Sequence, residues 1–471
     1  MHIDALYGQI SQAVRWNAFS YTVFKITSTI LTFVLFKQLS TSDFALWTGI
    51  NSLVYLILLW ADMGMRKTIP TFLPQIKDSN RKTFIYIIIG LYFAVLNITC
   101  PLALAFVGSY AEQVHLPINS ELLFASGLLY FGHGLEMLFQ TIFHAYLWHR
   151  VYNMLLAVIQ VSYMLMVMGA VYIWPSSADT VFYIVLGKGI ASIICVLIGW
   201  LFLVKKLKNT HATGTSPISK KFMHQFLKHA GLMWLATICK SFSERNVTVP
   251  LVTYALGPLL GNIFKVAQEA ALLFQRIVFR TIGTTDTSLF AYVKNESDIA
   301  KNDLSKVFSQ LASKLAYLTL PLIGLIWFMQ CQVSCCNTPN FGFQLFFIIS
   351  MGLLVELLLS PYERILEVYA QYCELAYAYI FYLVCLGALF EMLLHNYISL
   401  IPFVITLYSI RLLSMGIMAY AVHRKYSIAY PLKKIIMLFI CSMIVSYIFH
   451  LIAQYACGTA LLTLLTSFFA I

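Results

Sequence analysis

Apolar runs of about 20 residues follow one another along almost the whole chain, separated by short polar segments. As a helix, a run of that length crosses a hydrocarbon core of about 30 Å. The runs predict spans at about 17–38, 44–64, 83–108, 120–147, 152–174, 180–204, 229–256, 258–288, 310–330, 341–360, 374–394, 398–421, 434–453 and 458–471. The expected fold is an all-α membrane protein of about fourteen transmembrane helices, arranged as two pseudo-symmetric six-helix bundles plus a C-terminal helix pair. The expected boundaries are 1–204 for the first bundle, 205–228 for a cytoplasmic linker, 229–421 for the second bundle and 422–471 for the pair. The longest polar stretch, Lys205 to Lys228 with Thr-Gly-Thr-Ser-Pro at 213–217, marks the linker.

The two halves echo each other. Trp16, Lys25 and Leu39-Ser40-Thr41-Ser42-Asp43-Phe44 recur in order as Trp234, Lys240 and Leu256-Gly257-Pro258-Leu259-Leu260-Gly261. Equal helix number and equal orientation in each half suggest a parallel repeat about an axis along the membrane normal. Loop charge sets the orientation. The loops after even-numbered spans hold Arg66, Lys67, Arg81, Lys82, Lys205, Lys206, Lys220, Lys221, Arg424 and Lys425 among others, whereas those after odd-numbered spans hold none beyond Lys37 at the end of the first span. This asymmetry places the even loops and both termini in the cytoplasm. Residues 1–16 lack the basic region, short apolar stretch and small-residue site of a cleavable signal, so the first span is expected to stay in the mature protein.

Composition agrees with lipid as the solvent: 60% of residues are apolar and 11% charged, against roughly one-quarter charged in soluble domains. The net charge of +12 sits mostly in loops that orient membrane helices, so no nucleic-acid partner is expected. Most of the ten cysteines fall in or at the ends of spans, where a thiol behaves as a small apolar side chain. Cys331, Cys335 and Cys336 share one predicted outer loop, where a local disulfide is an open alternative.

Charges inside the spans carry the candidate chemistry, because a charge at mid-membrane costs several kcal/mol (about 2.5 or more) unless it meets a partner or water. In the eighth span Lys265, Glu269, Arg276 and Arg280 fall within an arc of about 60° over about 22 Å of helix. The first span carries Asn17, Tyr21, Lys25, Ser28 and Thr32 on one stripe; the seventh carries Thr237, Lys240, Glu244 and Thr248; the second has Asn51 and Asp62 on one face. A wet central cavity is therefore expected, with Lys25, Lys240, Arg245, Lys265, Arg276 and Arg280 as candidate anion ligands and Asp62, Glu244 and Glu269 as its acids. Two readings stand side by side for Lys265 with Glu269 and for Lys240 with Glu244, since four-residue spacing also makes an intrahelical ion pair. Arg276 and Arg280 either line the cavity or pair across helices, with Asp62 as one partner. Arg411 and Lys188 are isolated in their spans and read as structural pairs or snorkelling groups.

In the fourth span His133, Glu136, Gln140 and His144 lie within about 80° of arc. A carboxylate beside histidines is a candidate for proton coupling, and an interhelical hydrogen-bond network is the alternative. No phosphate-cradling Gly-Lys-Ser/Thr loop, zinc-type His-Glu-x-x-His or Gly-x-Ser-x-Gly elbow occurs, so neither catalysis nor any cofactor or metal is expected.

The opening motifs Leu39-Ser40-Thr41-Ser42-Asp43-Phe44 and Asp62-Met63-Gly64-Met65, the echo at Gly257–Gly261 and the helix layout resemble the bacterial polysaccharide flippases, the O-antigen (Wzx-type) translocases of the multidrug/oligosaccharidyl-lipid/polysaccharide (MOP) superfamily. Met65 and the heavily charged eighth span depart from that pattern, so the identity of the glycan does not carry over. The resemblance implies a MATE-like fold in the bacterial inner membrane and, as cargo, an oligosaccharide repeat unit on undecaprenyl pyrophosphate moved from the cytoplasmic to the periplasmic leaflet. It also implies membrane lipid, a glycan polymerase and a chain-length regulator as partners. Guanidinium groups suit a diphosphate because they bind its oxygens bidentately. A multidrug exporter of the same superfamily is the main alternative, although a cationic drug asks for an acidic cavity. A glycan polymerase or ligase is less favoured, since the outer loops, at about 109–119 and 331–340, are short.

Overall fold

The computed structural model describes residues 22–73, 76, 78–113, 115–116, 118–146, 148–173, 178–208, 219–242, 245–273, 275, 301–335, 341–369, 371–428 and 430–456. They form fifteen helices: α1 (22–38), α2 (Thr41–Ala61), α3 (Met65–Phe72), α4 (Asp78–Gln113), α5 (Ser120–Ala145), α6 (His149–Ile173), α7 (Ala178–Lys208), α8 (Lys220–Ser241), α9 (Arg245–Leu256), α10 (258–273), α11 (Lys301–Cys335), α12 (Phe341–Val368), α13 (Tyr372–Leu394), α14 (Leu400–Tyr426) and α15 (Leu432–Ala456). Among the described residues nine helices are long and apolar enough to cross a membrane, and the chain is a multi-pass membrane protein with the expected all-α fold.

The motif residues turn out to build helix ends. Ser40 caps α2: its Oγ accepts from Asp43 N at 3.1 Å and donates to Asp43 Oδ2 at 2.6 Å, satisfying an amide the helix leaves over. At the other end the chain turns through Met63 (φ 47°) and Gly64 (φ 72°) into α3, where Asp62 Oδ2 accepts from Arg66 N at 3.2 Å. Gly64 is required twice over: its φ is left-handed, and a Cβ there would overlap the Ala230 carbonyl oxygen and lie 2.7 Å from Trp234 N.

Besides longer ends on the third and tenth spans, which become Asp78–Gln113 and Phe341–Val368, three spans differ from the sequence expectation. The seventh is two helices, α8 and α9, and α8 starts at Lys220, inside the predicted linker. The second ends at Ala61 and is followed by the separate short α3. The ninth is longer, so that the backbone of Cys331 and Cys335 belongs to α11 rather than to a loop; the side chains of these cysteines, Cys336 itself and the fourteenth span lie outside the described residues.

By contacts the chain divides into Met1–Asn262 and Ile263–Ile471. In the first unit α5 packs along α7, α6 covers α7, α2 meets α4 and α9, and α3 lies against α5 and α8. Here α8 is tied to the α2–α3 turn: Trp234 Nε1 donates to Trp60 O at 2.6 Å, Trp60 Nε1 to Ser241 Oγ at 3.0 Å, and Thr68 Oγ1 meets His229 Nδ1 at 3.0 Å. In the second unit α12 packs on α14 and α11, α11 on α15, and α13 on α14. Pro361 within α12 removes the amide that would bond Leu357 O, and Ser360 Oγ takes that carbonyl at 2.8 Å. Large apolar side chains such as Val158, Leu165, Tyr172 and Val384 are exposed, as surfaces facing acyl chains should be.

Candidate functional site

The polar cluster of the first unit rests on a backbone contact. A Cβ at Gly132 would lie 2.9 Å from the Gly189 carbonyl oxygen, and one at Gly189 would lie 2.9 Å from Leu129 N, so α5 and α7 touch where only glycine fits. One turn along, Glu136 on α5 faces Ser192 on α7. Glu136 is buried, and its carboxylate is fully engaged: Oε2 accepts from Ser192 Oγ at 2.8 Å and faces His133 Nδ1 at 3.1 Å, while Oε1 accepts from Gln140 Nε2 at 3.0 Å. A buried carboxylate without such donors would cost far more than the helix packing returns.

Around it stands a half-buried rim. Lys188 Nζ donates to Asn51 Oδ1 at 2.6 Å, and Asn51 Nδ2 donates to Trp47 O at 2.8 Å, which fixes the amide with its oxygen toward the lysine. Lys188 also lies within electrostatic range of the Glu136 carboxylate. The rings of Tyr55 and His133 are 5.9 Å apart, and Arg66 lies beside Tyr55 and Asp62. Asp62 is buried, with Oδ1 taking no hydrogen bond among the described residues.

Several charges of the second unit are held in direct ion pairs. Lys265 Nζ bonds Glu269 Oε1 at 3.0 Å within α10, both buried. Arg411 on α14 bonds Glu356 on α12 at 3.0 Å, its guanidinium 5.5 Å from the Tyr408 ring. At the ends of α12 and α13, Arg364 bonds Glu367 at 2.7 Å and Glu363 accepts from the Tyr379 hydroxyl at 2.5 Å.

Of the sequence-predicted residues, Lys25 is buried in α1, and Lys265 and Glu269 form the intrahelical pair that was one of their two readings. Asp62 has Arg66 beside it. Glu136 and His133 are brought together. Glu244, Arg276 and Arg280, and the side chains of His144, Lys240 and Arg245, lie outside the described residues. Among the candidate cavity residues that are described, Lys25 and Lys265 equal Asp62 and Glu269 in number, so the expected basic excess rests on Lys240, Arg245, Arg276 and Arg280. Asn51, Lys188 and Ser192 were not singled out together by the sequence, although the four-residue spacing of Lys188 and Ser192 puts them on one face of α7.

No protein-family model matches the chain, and no curated protein matches it by sequence. Solved structures do match. The lipid II flippase MurJ in an inward-closed conformation superposes with a TM-score of 0.65 at 11% identity, over 92% of this chain and 92% of that one. A multidrug resistance MATE family transporter of the MOP superfamily, in an outward-facing conformation, gives 0.59 at 13% identity over 88% and 96%. A MOP superfamily transporter from Pyrococcus furiosus, described as having a binding pocket of reverse polarity that suggests a different function, gives 0.58 at 13% over 88% and 95%. At these identities the likeness establishes the fold, which is that of MurJ and the MATE transporters.

Proposed function

We propose that the chain is a flippase of the bacterial inner membrane, with both termini in the cytoplasm, carrying undecaprenyl-pyrophosphate-linked oligosaccharide repeat units of O-antigen or a similar surface polysaccharide to the periplasmic leaflet by alternating access. The observation that carries the reading is the fold it shares with a lipid II flippase over 92% of both chains. Basic residues then favour an anionic cargo: Lys25, Lys240, Arg245, Lys265, Arg276 and Arg280 supply the cations, Asp62, Glu244 and Glu269 balance them, and His133, Glu136 and His144 form the proton-responsive group. Sugars travel in the wet interior and the polyprenyl tail stays in lipid.

A second reading, an ion-coupled multidrug exporter, is supported by the comparable MATE likeness and by the equal number of cations and acids among the described candidate cavity residues, Lys25 and Lys265 against Asp62 and Glu269. The two readings are separated by measuring surface glycan in cells that lack the native gene and carry Arg276→Ala, Arg276→Lys, Arg280→Ala or Arg280→Lys, with membrane protein level alongside. Phosphate binding predicts a near-complete loss for Ala and an intermediate activity for Lys, which keeps charge but not the bidentate fork. Full activity of both Ala variants, or drug efflux with no glycan phenotype, sinks the flippase reading.

A further inference from the structure

Charge on α8 is gathered on one side. Phe226, Ala230 and Met233, four and three residues apart, are buried. The Phe226 ring packs 5.3 Å from Phe84 of α4 and 5.7 Å from Phe72 of α3, and Gly64 of the α2–α3 turn fits against the Ala230 carbonyl. Across the helix from that seam, Lys220, His224 and Lys228 stand four residues apart with Lys221 beside them, all exposed and within an arc of about 100°. No Asp or Glu occurs between Lys220 and Ser241, so no acid on α8 offsets the three lysines.

Around Lys228 the same face turns apolar. Leu227, Leu232 and Leu235 continue it and are 51%, 38% and 52% exposed. Lysines followed by leucines along one exposed stripe, on a helix whose other side is packed on protein, are the pattern of a helix passing from the head-group layer into the acyl layer. We propose that this face of α8 is a docking surface for an anionic phospholipid, with phosphate on the Lys220–Lys228 stripe and an acyl chain along Leu227, Leu232 and Leu235. The inference goes beyond the transport reading, and only the choice of the cytoplasmic leaflet follows from the orientation proposed there.

Charge and shape together select this occupant. From Lys220 to Lys228 the stripe rises about 12 Å, longer than one diphosphate group, which suits several head groups side by side. An acidic protein or a nucleic acid would use the lysines but not the leucines that extend the stripe, whereas a phospholipid uses both. Each lysine held near anionic lipid strengthens association by about fivefold, and three together by about a hundredfold. A lipid seated there holds one side of α8 while the aromatic seam holds the other, so leaflet charge bears on the helix against which the α2–α3 turn is packed.

The test is native mass spectrometry of the purified full-length protein in neutral detergent, titrated with dioleoylphosphatidylglycerol or with dioleoylphosphatidylcholine. The wild type should retain phosphatidylglycerol in preference, and the preference should weaken as salt is raised. Lys220→Gln, Lys221→Gln and Lys228→Gln combined should weaken the tightest phosphatidylglycerol binding by about a hundredfold and leave phosphatidylcholine unchanged, while the same three changes to Arg should preserve it. Leu232→Ser with Leu235→Ser should weaken both lipids. Lys205→Gln with Lys206→Gln, exposed at the end of α7, should leave the preference in place. If the triple Gln variant is not monodisperse, the single changes decide: each should cost about fivefold, and unchanged retention in all three overturns the inference. Equal retention of the two lipids by the wild type overturns it, as does a preference that survives the triple Gln variant or is lost equally in the α7 variant. None of these outcomes touches the flippase reading, which is judged on surface glycan.

Discussion

The Glu136 cluster of the first unit and the Glu356 and Glu269 pairs of the second hold interior carboxylates in different ways. In the first, the Glu136 carboxylate is met by a serine hydroxyl, a glutamine amide and a histidine, with Lys188 within electrostatic range on the rim. In the second, Glu356 and Glu269 are met head-on by Arg411 and Lys265. A direct ion pair in low dielectric locks both partners into their charged forms, since neutralising either one strands the other. A carboxylate whose contacts include a hydroxyl and an amide is less constrained, because hydroxyls and amides can turn to accept as well as donate. The first arrangement suits a group that changes charge during a cycle, and the second suits a fixed strut.

The largest expected effect comes from breaking a strut. Glu356→Ala removes the acid that Arg411 bonds in a half-buried pair and should lower stability by about 1.5–3 kcal/mol, whereas Glu356→Leu combined with Arg411→Met should recover most of it. Thermal melts in detergent read both, and a single variant as stable as the wild type would erase the contrast. Glu136→Gln removes a charge whose donors can re-orient, so its cost should be only about 1 kcal/mol, while the pH dependence of transport flattens. An unchanged pH profile returns Glu136 to a purely structural role. The smallest effect is expected from Ser192→Ala, which removes one neutral interhelical hydrogen bond worth about 0.6 kcal/mol in membranes. A larger loss there would show that the serine does more than solvate the carboxylate.

What could be read from the chain beforehand followed from distance in sequence. The spans were legible because lipid demands unbroken apolar length, and Lys265 with Glu269 was legible because a helix brings residues four apart together. Lys188 and Arg411 looked isolated because their partners, Asn51 and Glu356, are 137 and 55 residues away on other helices. No local rule reaches that far. The parting of α8 and α9 falls in the polar run from Lys240 to Asn246, which the sequence lays along one helical stripe with Thr237, Lys240, Glu244 and Thr248. The Ser40–Asp43 cap, by contrast, was legible as a serine three residues ahead of an acid, and the resemblance to flippases had drawn attention to the same residues for another reason.

The glycine contact between α5 and α7 has a mechanical consequence. The contact leaves no room for a side chain between α5 and α7, so a rotation or shift that carried a larger residue into it would collide, and the two helices are expected to move together. The Ser192–Glu136 bond lies within that pair. Whatever swings through the membrane during a cycle, the protonation chemistry rides along undistorted, and its equilibrium answers to the charge nearby rather than to the motion itself.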